Sequence, residues 1–179
     1  MSCAEIARLA SEAGFERATL RELDFAPCDG CAACKSGRCP HEDDAARLWR
    51  RLREASVVLF VTPLYFCNFP APAKAFLDRA QQFWERGEKC GAKFYLLALG
   101  GQGEENNFAS ARLTFRAVCL AAGARQEAAK YLPNVEGVKD LKKYEKEIAE
   151  FLAQAGKGGK SRSLSAPALP RFSSCRMTV

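Results

Sequence analysis

Four cysteines fall within twelve residues, Cys28, Cys31, Cys34 and Cys39, and spell C-x2-C-x2-C-x4-C-P. Thiolates are soft donors suited to zinc, to iron–sulfur clusters or to redox exchange, so this segment is the first candidate for chemistry. Its last gap is one residue longer than in the ferredoxin-type run C-x2-C-x2-C-x3-C-P. Three thiolates separated by two residues each can wrap one compact cluster, with each sulfur reaching a different iron. Zinc sites usually set two pairs a dozen or more residues apart, and here Cys31 would have to serve both close pairs. The spacing therefore favours an iron–sulfur cluster. Zinc, a redox CxxC pair (Cys28 with Cys31, or Cys31 with Cys34) and four free thiols are the alternatives.

Other nucleophile patterns are weak. His41 is the only histidine, so a Ser-His-Asp or Cys-His hydrolase has one candidate base, and that base sits next to the cysteine segment. It is expected to be a surface residue, and no catalytic acid or base is assigned. Cys119 to Arg125 matches C-x5-R, but Cys119 lies on an apolar helical pattern, and the match is taken as coincidence. The five cysteines outside the cluster (Cys3, Cys67, Cys90, Cys119, Cys175) are scattered singly and no signal peptide precedes them. That usage points to a reducing cytoplasm.

The chain has 179 residues, 48% of them apolar, enough for one globular core. Its net charge of +6 invites a nucleic-acid or membrane partner, yet Lys157, Lys160, Arg162, Arg171 and Arg176 supply +5 of it from residues 157–179, which hold no acidic residue. The body, residues 1–156, carries only +1, so neither nucleic acid nor membrane is expected as a partner. The uncharged run 55–73 contains Asn68, Pro63, Pro70 and Pro72, which argues against a membrane span.

Apolar periodicity supplies the elements that must position these residues. Ile6, Leu9, Ala10 and Ala13 mark a helix closed by Gly14, and residues 18–25 alternate as a strand. Ala45, Leu48, Trp49 and Leu52 mark a second helix with acidic Glu42, Asp43 and Asp44 at its start. Residues 56–66 and 93–101 are continuous apolar runs, as in strands buried on both faces. Helices are expected over 74–84, 108–120 and 141–152, with a weaker strand over 127–135. Alternation of this kind predicts an α/β fold, a doubly wound parallel sheet with its ligand loops at the carboxyl ends of strands. Residues 157–179, rich in Ser, Gly and Pro, are expected to form a basic disordered tail.

Taken in order, LDFAPCDGCAACKSGRC, HEDDAARLW, ASVVLFVTPLYFCNFPAPAKAFLDR and KFYLLALGGQG resemble the flavodoxin-like NAD(P)H-dependent FMN reductases, in particular their iron–sulfur flavoprotein branch. The resemblance spans roughly residues 2–152. It implies an enzyme that passes electrons from NAD(P)H through FMN to a small acceptor or a redox protein, with Cys28, Cys31, Cys34 and Cys39 ligating a [4Fe–4S] cluster. It also implies association of identical subunits. FMN would rest on Thr62, Pro63, Leu64, Tyr65, Phe66 and Asn68 and on Gly100, Gly101 and Gln102. Backbone amides of both loops would meet the ring, and Tyr65 and Phe66 would offer apolar faces. Lys74, Asp78 and Arg79 match the family's helix pattern, although pairing on a helix surface explains them as readily.

One departure accompanies the match. This fold begins with a strand and a hydroxyl-rich loop that holds the FMN phosphate at the first helix N-terminus. Only Ser2 stands where that loop would end. A domain over 1–156 that lacks the usual first strand is therefore expected. In the order 2-1-3-4-5 that strand is central, so its place would be vacant. The alternative function is a metal-binding or electron-transfer module with a defective FMN site.

Overall fold

The computed structural model describes residues 2–101 and 106–157, and the backbone of 176–178. Helix α1 (Ser2–Glu12) buries Ile6 and Ala10, and the chain leaves it through Gly14 at φ +84°. That left-handed residue lets the Phe15 amide reach back to the Ala10 carbonyl at 3.0 Å. Strand β1 is only Glu16–Arg17, and Leu20–Glu22 form a 3-10 turn. The strand expected over 18–25 does not form, because Leu20, Leu23 and Phe25 pack onto the helical layer instead of joining the sheet.

Asp43 caps α2 (Asp44–Glu54), its Oδ1 accepting from the Ala46 amide at 3.0 Å. Strand β2 (Val57–Pro63) leads into α3 (Ala71–Asp78) and the short α4 (Gln81–Glu85). The single helix expected over 74–84 is thus two, and Pro72 in the first turn lets α3 begin early. Strand β3 (Lys93–Leu99), helix α5 (Asn106–Ala121) and strand β4 (Arg125–Leu132) follow. A 3-10 segment over Val138–Tyr144 leads into α6 (Glu145–Lys157).

The sheet is parallel throughout, in the order β1-β5-β2-β3-β4, where β5 is Arg176–Thr178. Two expectations change here. The place expected for the first strand, here between β1 and β2, is not vacant, and part of the expected disordered tail occupies it. Arg176–Thr178 pair with Val57–Leu59 on one side, while Met177 and Thr178 pair with β1 on the other. The tail's charge gave no sign of this, since three residues suffice for the pairing and backbone groups make it.

Period-two alternation divides the strands between two cores. Val58, Phe60, Phe94, Leu96 and Ala98 face α2, α3, α4 and α5, where Trp49, Phe76, Phe83 and Phe115 are buried. Val57, Leu59, Tyr95, Leu97 and Leu99 face α1 and α6, meeting Ile6, Ile148, Phe151 and Leu152. The doubly wound α/β architecture is the one expected.

Candidate functional site

Two loops at the carboxyl ends of β2 and β3 are locked together before any ligand is considered. The Leu64 amide donates to the Leu99 carbonyl at 2.7 Å, and the Gly100 amide to the Leu132 carbonyl at 3.1 Å. Tyr65 and Asn68 exchange both backbone bonds, at 2.9 and 3.1 Å, around a tight turn. Its central residues, Phe66 and Cys67, have φ +50° and +63°, the signature of a type I′ turn. Left-handed conformation costs a side-chain-bearing residue about 1–2 kcal/mol, and here it holds a fully exposed Phe66 ring at the tip. Asn68 Nδ2 donates to Ser110 Oγ at 2.9 Å and ties the turn to α5.

This geometry corrects one expectation. The amides of Leu64, Tyr65 and Gly100 are already used within the protein and Pro63 has none, so they cannot all serve a ligand. Among the described residues, no acceptor takes the amides of Phe66, Cys67 or Gly101. Gly100 itself is required by packing, because a Cβ there would collide with the Tyr131 ring.

Beside the turn lies a cavity of about 450 Å³. It is walled by Thr62, Pro63 and Tyr65, by Cys3 and Ala4 of α1, by Arg17–Glu22, and by Pro72 and Ala73 of α3. Of the expected flavin residues, Thr62, Pro63 and Tyr65 line it. Leu64, Phe66, Asn68, Gly100 and Gly101 lie in the adjoining rim loops, and Ser2 is buried at the start of α1, next to lining residues. Gln102 lies outside the described residues. Arg17 and Arg21 line the cavity and were not singled out in the sequence, where Arg21 is a polar position of the strand expected over 18–25 and Arg17 precedes it. Burial pushes the Cys3 thiol up to about 11, so it stays protonated at neutral pH.

The cysteine segment is a loop between the 3-10 turn and α2. Gly30 and Ala32 take left-handed backbone, a 3-10 turn over Ala33–Lys35 follows, and Asp29 Oδ1 accepts from the Cys31 amide at 3.0 Å. Asp29 Oδ2 also meets His41 Nε2 at 3.2 Å, which gives the lone histidine a local partner and no nucleophile. All four thiols are free of disulfides. Burial first, and then the charges of Glu85, Cys39 and Cys28, raise the Cys34 pKa. Among the described residues, no three of these side chains converge closely enough to hold a single metal ion.

Arg79 departs most from expectation. For Lys74, Asp78 and Arg79 the sequence leaves the family's helix pattern and helix-surface pairing as equal readings, and only Lys74 and Asp78 pair on the surface, joined on α3 at 2.6 Å. Arg79 is 2% exposed. Its Nη1 donates to Ala26 O at 2.8 Å and to Asp43 Oδ2 at 2.6 Å, and its Nη2 to His41 O at 2.9 Å and to Cys39 Sγ at 3.8 Å. Burial opposes the charge on both members of the Arg79–Asp43 pair. Their bond to each other, with the Ala46 and Ala26 amides on Asp43 and Cys39 beside Arg79, together outweighs that cost, so the arginine pKa stays above, and the Asp43 pKa below, the usual value.

A parallel sheet with helices on both faces and a cavity at its carboxyl rim defines a flavodoxin-like α/β protein. Solved structures share the fold. The FMN-dependent NADH-azoreductase of Bacillus anthracis, solved with FMN, superposes with a TM-score of 0.61 at 12% identity, covering 86% of this chain and 90% of that one. An azoreductase from the Sterne strain of B. anthracis gives 0.56 at 17% identity, over 87% and 88%. The model of the NADPH-dependent FMN reductase family matches residues 2–126, and the chain belongs to that family.

Within it, the curated relatives are iron–sulfur flavoproteins. The one from Methanosarcina thermophila is 35% identical over 75 residues, 40% of this chain and 39% of its own length. One from Archaeoglobus fulgidus is 32% identical over 77 residues, 43% of this chain and 37% of its own. The matched part thus spans about two fifths of those relatives. No helix among the described residues is long and apolar enough to cross a membrane.

Proposed function

We propose that this chain is an NAD(P)H-dependent FMN oxidoreductase carrying a [4Fe–4S] cluster on Cys28, Cys31, Cys34 and Cys39, which passes electrons to a small acceptor or redox protein. The observation that carries the flavin half is the Tyr65–Asn68 turn. It holds an exposed aromatic ring and unused amides beside a cavity of about 450 Å³, within the roughly 300–1,000 Å³ range of small-molecule sites. Tyr65 and Phe66 offer apolar faces to a flat ring, the amides of Phe66 and Gly101 offer donors, and Arg17 and Arg21 add positive charge. The α1 N-terminus at Ser2 favours a phosphate by its dipole. The cluster half rests on donor chemistry, four free thiols beside a buried guanidinium.

Helix α3 connects the halves, since Pro72 and Ala73 line the cavity and Arg79, just past its end, holds the cysteine loop. The six-residue rise from Ala73 to Arg79 separates them by about 9 Å along the helix. When bound, FMN would accept a hydride and release electrons singly or in pairs, while the cluster would relay them one at a time. The protein's own work is to bind, orient and shield, and no side chain is needed as an acid or base. Exposed Tyr65, Phe66 and Trp84 supply apolar surface for self-association, and free cysteines suit a reducing cytoplasm.

Anaerobic purification with flavin, iron, sulfide and zinc assays tests the proposal. Flavin together with about four irons and four sulfides per chain is expected. Zinc without iron removes the cluster, and protein unable to take up FMN removes the reductase and leaves a metal-binding module.

A further inference from the structure

We propose that Arg79 is the positioning residue of the cysteine centre, fastening both ends of its loop and donating a charge-assisted hydrogen bond to the sulfur of Cys39. The inference rests on the reading of Cys28, Cys31, Cys34 and Cys39 as cluster ligands.

Ala26 precedes the first of these cysteines by two residues, and His41 follows the last by two. Both backbone carbonyls accept from the same guanidinium, at 2.8 and 2.9 Å. One planar side chain thereby closes residues 26–41 into a ring around all four thiols. The loop between them is largely exposed, and the guanidinium shares the fixing of its ends with Asp43 and Asp44, whose carboxylates accept from the Ala26 amide at 3.4 Å and the Asp24 amide at 2.8 Å. Arginine suits the task because its donors form a rigid fork that a lysine ammonium cannot reproduce.

The fork also reaches the ligand set, with Nη2 lying 3.8 Å from Cys39 Sγ. Hydrogen bonds to the sulfurs and the net local charge are two of the levers that set an iron–sulfur potential. Asp43 modulates the second lever, because its carboxylate neutralises the guanidinium at 2.6 Å. A further donor, Nε–H, is buried with no acceptor among the described residues. This leaves unspent positive donor capacity beside the thiols, where electron-rich sulfur would sit.

Wild-type protein and the variants Arg79→Lys, Arg79→Gln and Asp43→Asn, each reconstituted anaerobically with ferrous iron and sulfide, test the assignment. Two quantities are read: the rate at which a chelator bleaches the cluster, and the midpoint of a spectroscopic redox titration. Loss of a supporting partner outside the ligands typically costs about 10- to 100-fold in metal retention, so both Arg79 variants should bleach faster by that order and titrate at a lower potential. Asp43→Asn keeps the N-cap acceptor and the Arg79 side chain but removes the countercharge together with the oxygen that accepts from Nη1, and it should titrate at a higher potential. A purely structural role would not shift the two in opposite directions. Iron-loaded variants that match wild type, or that shift the same way, overturn the role of Arg79. Wild-type protein that takes up neither iron nor sulfide overturns the cluster reading beneath it.

Discussion

The indole of Trp49 lies 5.0 Å from the Phe76 ring, 5° from parallel, and its N–H donates to the Phe76 carbonyl at 2.9 Å. The pair fixes α2 against α3, the helix that bears on both candidate sites. Both side chains are fully buried.

Replacing Trp49 with Phe removes that hydrogen bond and leaves a void the size of the lost ring, so it should cost about 2–4 kcal/mol. Urea unfolding followed by circular dichroism measures this. A midpoint equal to wild type would show that the Trp49–Phe76 contact does not secure the layer.

Asp43 gives the fold an acid limb. Burial raises its pKa, but Arg79 and the amides of Ala46 and Ala26 lower it further, so the folded value lies below the unfolded value of about 3.9. The stability it contributes is complete above the unfolded pKa and is lost as pH falls through the folded one. The urea midpoint of wild type should therefore fall more steeply below about pH 4 than that of Asp43→Asn. Parallel curves for the two proteins would contradict the assignment.

At Gly123 the backbone has φ +66°, and an added Cβ would strike the Glu88 carbonyl and the Lys89 backbone, which cannot swing aside. The turn holds two edges together, because the Gly123 carbonyl accepts from the Cys90 amide at 2.9 Å. Gly123→Ala should lower stability by roughly 2–3 kcal/mol, through conformational strain and the clash together. Thermal unfolding gives the answer, and an unchanged Tm would count against this packing.

Phe66 stands free of the core, so Phe66→Ala should leave unfolding within about 0.5 kcal/mol of wild type. If the ring covers the flavin as proposed, the same variant should bind FMN about 5- to 10-fold more weakly, in keeping with the 0.5–1.5 kcal/mol of an aromatic contact. Fluorescence titration of FMN separates the two effects. Wild-type affinity in the variant would place the flavin elsewhere.

Much of this protein was legible in the order of its residues. The apolar runs that became β2 and β3 have the β-branched content of strands buried on both faces, and the Ala45-Leu48-Trp49-Leu52 spacing is that of a helix covering a core. The acidic residues Glu42, Asp43 and Asp44 marked the start of that helix, and the four cysteines announced themselves by spacing. Local rules govern all of these: period, capping and donor type.

Other features depended on groups far apart in sequence. Leu20, Leu23 and Phe25 alternate like a strand, yet their partners lie on the helical layer, and packing outweighed the local pattern. The same holds for Arg176–Thr178. Only the open edges of β1 and β2 make a strand of three tail residues, because backbone pairing needs a template and no side-chain signal. Arg79 had the charge of a surface residue, and its burial was set by Asp43, 36 positions away, and by carbonyls on either side of the cysteine loop. Residue order was enough to name the donors and most of the elements. The tertiary structure decided which donors were spent on the protein itself and which were left to face a ligand, because hydrogen bonds and ion pairs across the fold depend on distances in space that no sequence spacing encodes.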